Sequence, residues 1–141
     1  MCISSSFHAQ FTSTISLTLF PIAFLVAAIL HCNNLRDLNE DIKTGKCTLV
    51  TMFGLQVGKL VFASMIFATY VTLVVIVSLQ LIPVFGLLGL TSFPLALRIL
   101  VRIFGAVGSD DMDRILVQTA KLHAFSGTLI IVGLLFNTFL D

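Results

Sequence analysis

"LVFASMIFATYVTLVVIVSLQLIPVFGLLGLTSFPLAL", Leu60 to Leu97, carries no ionisable side chain except Tyr70 across 38 residues. A helix crosses a bilayer with about 20 apolar residues, so this run is about twice too long for one crossing. It must fold back on itself, and the break belongs at Gln80-Leu81-Ile82-Pro83. Proline has no amide proton to give a helix and drives the residue before it toward extended backbone. The run therefore divides into a span of about Leu60 to Leu79 and another from Pro83 toward Phe104. The latter is interrupted by Gly86, Gly89 and Pro94, where a kink is expected.

Two flanking segments have the same character: Thr14 to His31, with Pro21 near its start, and Ile115 to Leu140, with Lys121 as its one charge. Only 11% of the 141 residues are charged and the mean hydropathy is +1.08, whereas an ordinary soluble domain is roughly 25% charged. The sequence thus predicts an all-α, multi-pass transmembrane helix bundle of about four spans, seated in a lipid bilayer. The first span does not read as a cleaved signal peptide. Residues 1–13 hold no Lys or Arg, and the span ends in Leu30-His31-Cys32-Asn33 without a small-residue cleavage site. Residues 1–13, with Ser4-Ser5-Ser6, read as a polar, poorly ordered segment, and residues 14–141 as the domain. No internal repeat is visible. Cys2, Cys32 and Cys47 have no paired spacing, so neither a disulfide framework nor a zinc site is indicated. A net charge of +1 supplies no basic field, so nucleic acid is not expected as a partner.

The charges are informative by position. With four spans, the connections 32–59 and 98–114 share one side, and they contain Arg36, Lys43, Lys46, Lys59, Arg98, Arg102 and Arg114, seven of the eight basic residues. The positive-inside rule places that side in the cytoplasm or the equivalent organellar compartment. Lys121 lies about two turns into the last helix from that side, where it either snorkels to the interface or marks a polar functional site.

Six of the fifteen charged side chains fall in "HCNNLRDLNEDIKTGK", His31 to Lys46. If the first helix continues past His31, then Asn33, Asp37 and Asp41, spaced i, i+4, i+8, form an oxygen ladder on one face. Two carboxylates one turn apart repel, and a divalent cation removes the conflict. Magnesium binds through one or two carboxylates plus water and phosphate oxygens, which is what the ladder offers. Arg36, Lys43 and Lys46 would suit the phosphate, arginine as a fork and lysine as a point charge. Spacing alone leaves two readings open: a metal–diphosphate clamp, and a solvated loop that fixes topology.

The stretch "NNLRDLNEDIKTGKCTLVTMFG" resembles the second aspartate-rich motif of the UbiA superfamily of intramembrane prenyltransferases, in the form of its MenA branch, NNxRDxxxDxxxGKxTL followed by Gly. The matching residues are Asn33, Asn34, Arg36, Asp37, Asp41, Gly45, Lys46, Thr48, Leu49 and Gly54. "PLALRILVRI" (Pro94 to Ile103) and "QTAKLHAFSGTLIIVGLLF" (Gln118 to Phe136) are similar to the end of the same branch, so the resemblance runs from about residue 14 to 140. That family has nine transmembrane helices and two aspartate-rich motifs, the first between helices 2 and 3. This chain lacks that first motif, and its spans resemble helices 6 to 9, a carboxyl-terminal portion.

The resemblance implies magnesium-dependent transfer of a polyprenyl group from polyprenyl diphosphate to an aromatic acceptor, 1,4-dihydroxy-2-naphthoate in the menaquinone-forming branch. Carried over residue by residue, Asp37 and Asp41 ligate magnesium, while Asn33, Arg36 and Lys46 serve the diphosphate, Asn33 also supporting the metal site. The thirteen Phe would help line a groove for the isoprenoid tail, though packing explains most of them. With one motif, the chain is expected to be inactive alone and to need a companion carrying the missing helices. Two other classes compete: a non-catalytic membrane fragment or assembly partner, and a transporter half suggested by the Gly- and Pro-interrupted third span. A soft-metal site from His31, Cys32 and His123 has too few ligands at known spacing. Asp110, Asp111 and Asp113 read as the cap and dipole partners of the last helix.

Overall fold

In the computed structural model, the backbone is described over residues 3–140 and the side chains over residues 19–136. The elements are α1 (Ile3–Arg36), α2 (Leu38–Thr44), α3 (Leu49–Ser78), a 3-10 helix (Val84–Ser92), α4 (Phe93–Gly105) and α5 (Ser109–Leu140). Among the described residues, four stretches are long and apolar enough to cross a membrane: Leu19–Arg36, Leu49–Ser78, Val84–Gly105 and Ser109–Phe136. The all-α bundle of four spans read from hydropathy is therefore the observed architecture. The backbone of α1 begins at Ile3; the expected disorder of residues 1–13 concerns a segment whose side chains lie outside the described residues.

Helix ends are set by caps rather than by hydropathy. The second span starts at Leu49, well before the expected Leu60, because Thr48 and Thr51 close a reciprocal cap. The Thr51 amide donates to Thr48 Oγ1 (3.2 Å) and the Thr48 amide to Thr51 Oγ1 (2.8 Å). α3 is interrupted once, at Gly54 (φ 84°). It ends where expected: Gln80 takes the left-handed conformation (φ 57°), its amide donates to the Val77 carbonyl (2.9 Å), and the Leu81 amide reaches back to that of Ile76 (3.0 Å). The expected kink after Pro83 is a change of helix type. Val84–Ser92 is a 3-10 helix, and Pro94 opens α4 at a position where its missing amide proton costs nothing. α5 starts at Ser109, earlier than Ile115, so the turn joining α4 and α5 is only residues 106–108.

The core follows helical periods. Leu25, Ala28, Cys32 and Leu35 of α1 meet Phe62, Ile66 and Tyr70 of α3, Ala96, Ile99 and Ile103 of α4, and Met112, Ile115 and Leu122 of α5. A second cluster of Leu73, Ile76 and Ile82 closes the opposite end. Here α5 lies backbone to backbone on the 3-10 helix, so that a Cβ on Gly133 would collide with the Phe85 carbonyl oxygen. Close approach at small residues is how helices associate when lipid removes the hydrophobic incentive. α1 packs on both α3 and α5, which brings α2 and the 106–108 turn to one end of the bundle.

Candidate functional site at the charged end

The backbone carries the three ladder residues through a bend rather than along one straight helix. α1 runs to Arg36, and across the bend at Asp37 the turn-to-turn bonds continue, the Asp37 amide donating to the Asn33 carbonyl (2.9 Å) and the Asp41 amide to that of Asp37 (2.8 Å). Asn33, Asp37 and Asp41 thus occupy successive turns. α2 then stops at Gly45, whose left-handed backbone (φ 70°) is costly for any residue with a Cβ. This reversal turns Lys46 back over α2, and its Nζ donates to Asp41 Oδ1 at 3.1 Å. The Gly-Lys pair of the motif is therefore one device, a turn and the ammonium it returns.

The two aspartates differ. Asp41 is buried, 5% exposed, and its second oxygen, Oδ2, has no hydrogen-bond partner. Asp37 is half-buried and gripped by its neighbour: Arg36 Nε donates to Oδ1 (2.7 Å) and Nη2 to Oδ2 (3.1 Å). The Arg36 guanidinium holds the Asp37 carboxyl below the usual carboxylate range, so it is anionic throughout the neutral range. Arg36 also reaches across the bundle, its Nη1 donating to Asp113 Oδ1 of α5 (3.2 Å). With three of its five donors so engaged, it keeps two for another anion.

Asn33, Arg36, Asp37, Asp41 and Lys46 are thus gathered at one end. Lys121 stands apart, exposed on α5, where it lines a shallow groove with Asp113, Arg114, Val117 and Gln118. Among the described residues no three His, Cys, Asp or Glu side chains converge to hold a metal by themselves. His31 and Cys32 do not form the soft-metal site: His31 Nε2 donates to the Gly58 carbonyl (2.9 Å) and the Cys32 thiol to that of Met112 (3.7 Å). Asp111 lies in the first turn of α5 rather than at its cap, and accepts from the Val107 amide at 3.3 Å, tying the preceding turn to the helix.

Two residues of this end were not identified from sequence. Asp113, taken as a dipole partner, is the second carboxylate on Arg36, and a contact over 77 residues leaves no local signal. Lys59, counted as a loop cation, lies inside α3 and is 2% exposed. Its Nζ donates to the Ala106 carbonyl at 2.6 Å, fastening the α4–α5 turn. The Thr48-x-x-Thr51 cap, which starts the helix ahead of it, was the available clue.

The UbiA prenyltransferase family model matches residues 2–126. A UbiA prenyltransferase domain-containing protein 1 homolog of Drosophila melanogaster is 36% identical over 113 residues, 80% of this chain and 30% of that protein. The 1,4-dihydroxy-2-naphthoate octaprenyltransferase of Escherichia coli is 26% identical over 137 residues, 95% of this chain and 44% of that protein. The human UbiA prenyltransferase domain-containing protein 1 is 27% identical over 85% of this chain and 36% of its own length. The chain spans between about a third and less than half the length of these relatives. No solved structure matches it. Four membrane-length helices among the described residues and a family match over most of its length agree: the chain belongs to the UbiA prenyltransferase family.

Proposed function

We propose that this chain carries the second aspartate-rich half of a prenyl-transfer site, binding magnesium and the diphosphate of a polyprenyl donor at Asn33, Arg36, Asp37, Asp41 and Lys46. The observation that carries the reading is Asp41 Oδ2, a buried carboxylate oxygen without a partner, beside an oxygen already held by Lys46. Leaving such an atom bare costs about 1–3 kcal/mol, and a bound cation removes that cost. Two aspartates, with no third acidic ligand converging on them among the described residues, suit a metal that completes its shell with water and phosphate.

When bound, magnesium would neutralise charge developing on the diphosphate as the allylic carbon–oxygen bond breaks. The chain's own residues do the rest. Asp37 and Asp41 hold the cation, the two free donors of Arg36 and the ammonium of Lys46 meet phosphate oxygens, and Asn33 supports the metal from the turn below. The acceptor would be an aromatic ring, and the Escherichia coli relative favours 1,4-dihydroxy-2-naphthoate. The spacing Asn33-x3-Asp37-x3-Asp41 by itself would suit either motif of the family. Arg36 and the Gly45-Lys46-Cys47-Thr48-Leu49 continuation support the second, hence the helices 6 to 9 of the fold and a companion bearing the rest. Arg36–Asp113 and Lys59–Ala106 tie both cation-rich connections to one end, which supports placing that end on the cytoplasmic or equivalent side.

The test is magnesium-dependent binding of a polyprenyl diphosphate to the detergent-solubilised chain. Asp37→Ala and Asp41→Ala are expected to weaken it at least tenfold, a loss of about 1.4 kcal/mol or more. Equal binding by wild type and both variants overturns the clamp. It would favour a non-catalytic membrane component, for which the closed Arg36–Asp37–Asp113 network is a structural tie and nothing else.

A further inference from the structure

We infer that the outward face of α4, together with the first turns of α5, holds the phosphate of an anionic phospholipid. α4 is two-sided. Ala96, Ile99 and Ile103 are buried, whereas Leu97, Arg98, Val101 and Arg102 face outward. Arg102 and Arg114 converge on a cleft of about 360 Å³ completed by Gly105, Ala106, Asp111 and Ile115. A second, almost wholly apolar groove of about 300 Å³ shares Arg102 and continues down α4 past Val101, Arg98 and Leu97. The two together have the outline of an amphiphile, a charged head socket above an apolar track.

The charges are unspent. Among the described residues the ion pairs involve Arg36 and Lys46, and no carboxylate pairs with Arg98, Arg102 or Arg114. Asp111 lines the same cleft, but one of its oxygens is taken by the Val107 amide. Depth agrees with a headgroup. At 1.5 Å per residue, Arg102 lies about 5 Å and Arg98 about 10 Å below the end of α4 at Gly105, the thickness of the polar layer and its border with the acyl chains. A phosphodiester seated between Arg102 and Arg114 would satisfy both, with an acyl chain along Leu97 and Val101. The cleft shares no residue with Asn33, Arg36, Asp37, Asp41 or Lys46, so it is separate from the diphosphate site. A cation that only fixes topology requires neither a cleft nor an apolar track.

The test titrates the 141-residue chain, in a neutral detergent, with short-chain phosphatidylglycerol, phosphatidylcholine or inorganic phosphate, read by native mass spectrometry and by Tm. Each arginine near the surface is worth about fivefold in affinity. The Arg102→Gln/Arg114→Gln variant is therefore expected to lose about twenty-fivefold for phosphatidylglycerol. Phosphatidylglycerol should also bind at least about fivefold tighter than phosphatidylcholine. Unchanged affinity in the double variant, or equal binding of the two lipids, overturns the proposal. Inorganic phosphate binding as tightly as phosphatidylglycerol overturns it in favour of a soluble anion. If the double variant has a lowered Tm without lipid, Arg114→Gln alone carries the test, with about a fivefold loss expected.

Discussion

Arg36 binds two carboxylates at once, one next door and one on the last helix, and this decides how it presents its remaining donors. Losing the Asp113 bond would free the guanidinium to rotate about Asp37. Asp113→Asn keeps the volume and removes the charge; it should weaken magnesium-dependent polyprenyl diphosphate binding about 1.5-fold to fivefold, on the scale of one exposed ion pair, with Tm shifted by little. Lys59 is the contrasting case, since it is buried and its ammonium meets the Ala106 carbonyl. Lys59→Met should cost about 1–3 kcal/mol, seen as a lower Tm in detergent. Arg36, Asp37, Asp41 and Lys46 were readable as one charged cluster in the sequence because the Arg36–Asp37 and Lys46–Asp41 pairs join residues only one and five apart. Asp113 and Lys59 were not, because one acts through a distant contact and the other through burial that a cation in a loop-like context does not announce.

At the level of elements, turns and close approaches carry the specification. Gly45 turns the chain so that Lys46 lies over Asp41. Gly45→Ala forces a Cβ into left-handed backbone at a cost of about 1 kcal/mol and should shift the Lys46–Asp41 pair, detected as weaker donor binding with the helix content in circular dichroism unchanged. Gly133 is held by contact rather than by backbone angle, because α5 touches the carbonyl of Phe85 there. Gly133→Leu must push α5 off the 3-10 helix and should lower stability by about 1–3 kcal/mol, read as Tm. Hydropathy located all four spans and the break at Gln80–Pro83. It misplaced the starts of α3 and α5, because α3 begins at the Thr48 cap and runs through Gly54 and Lys59, and α5 begins in the polar Ser109-Asp110-Asp111, neither of which hydropathy reads as helix. It also missed the 3-10 geometry of Val84–Ser92, since a kink at glycines and a tightened helix look alike in composition.

The molecule as a whole places its chemistry at one end and leaves much apolar surface outward, including Phe53, Phe67, Phe104 and Phe125. On the proposed function, four spans with one aspartate-rich ladder supply one side of a diphosphate site. The chain on its own should therefore show no prenyl transfer above background in a vesicle assay with donor, magnesium and aromatic acceptor. Co-expression with helices bearing the other motif should restore some activity, and full turnover by the chain alone would refute the division. Fold class was readable at this scale because lipid permits few architectures, whereas the partner surfaces were not, since a residue facing lipid and one facing another helix have the same hydropathy. The bridge from Arg36 to Asp113 has a consequence for biogenesis. α1 can pair with α3 as soon as both have left the ribosome, but the carboxylate that completes the Arg36 grip is synthesised 77 residues later. The charged end is thus locked only once α5 has followed α1 and α3 into the bilayer, and a nascent chain halted before α5 would expose an unlatched arginine to quality control.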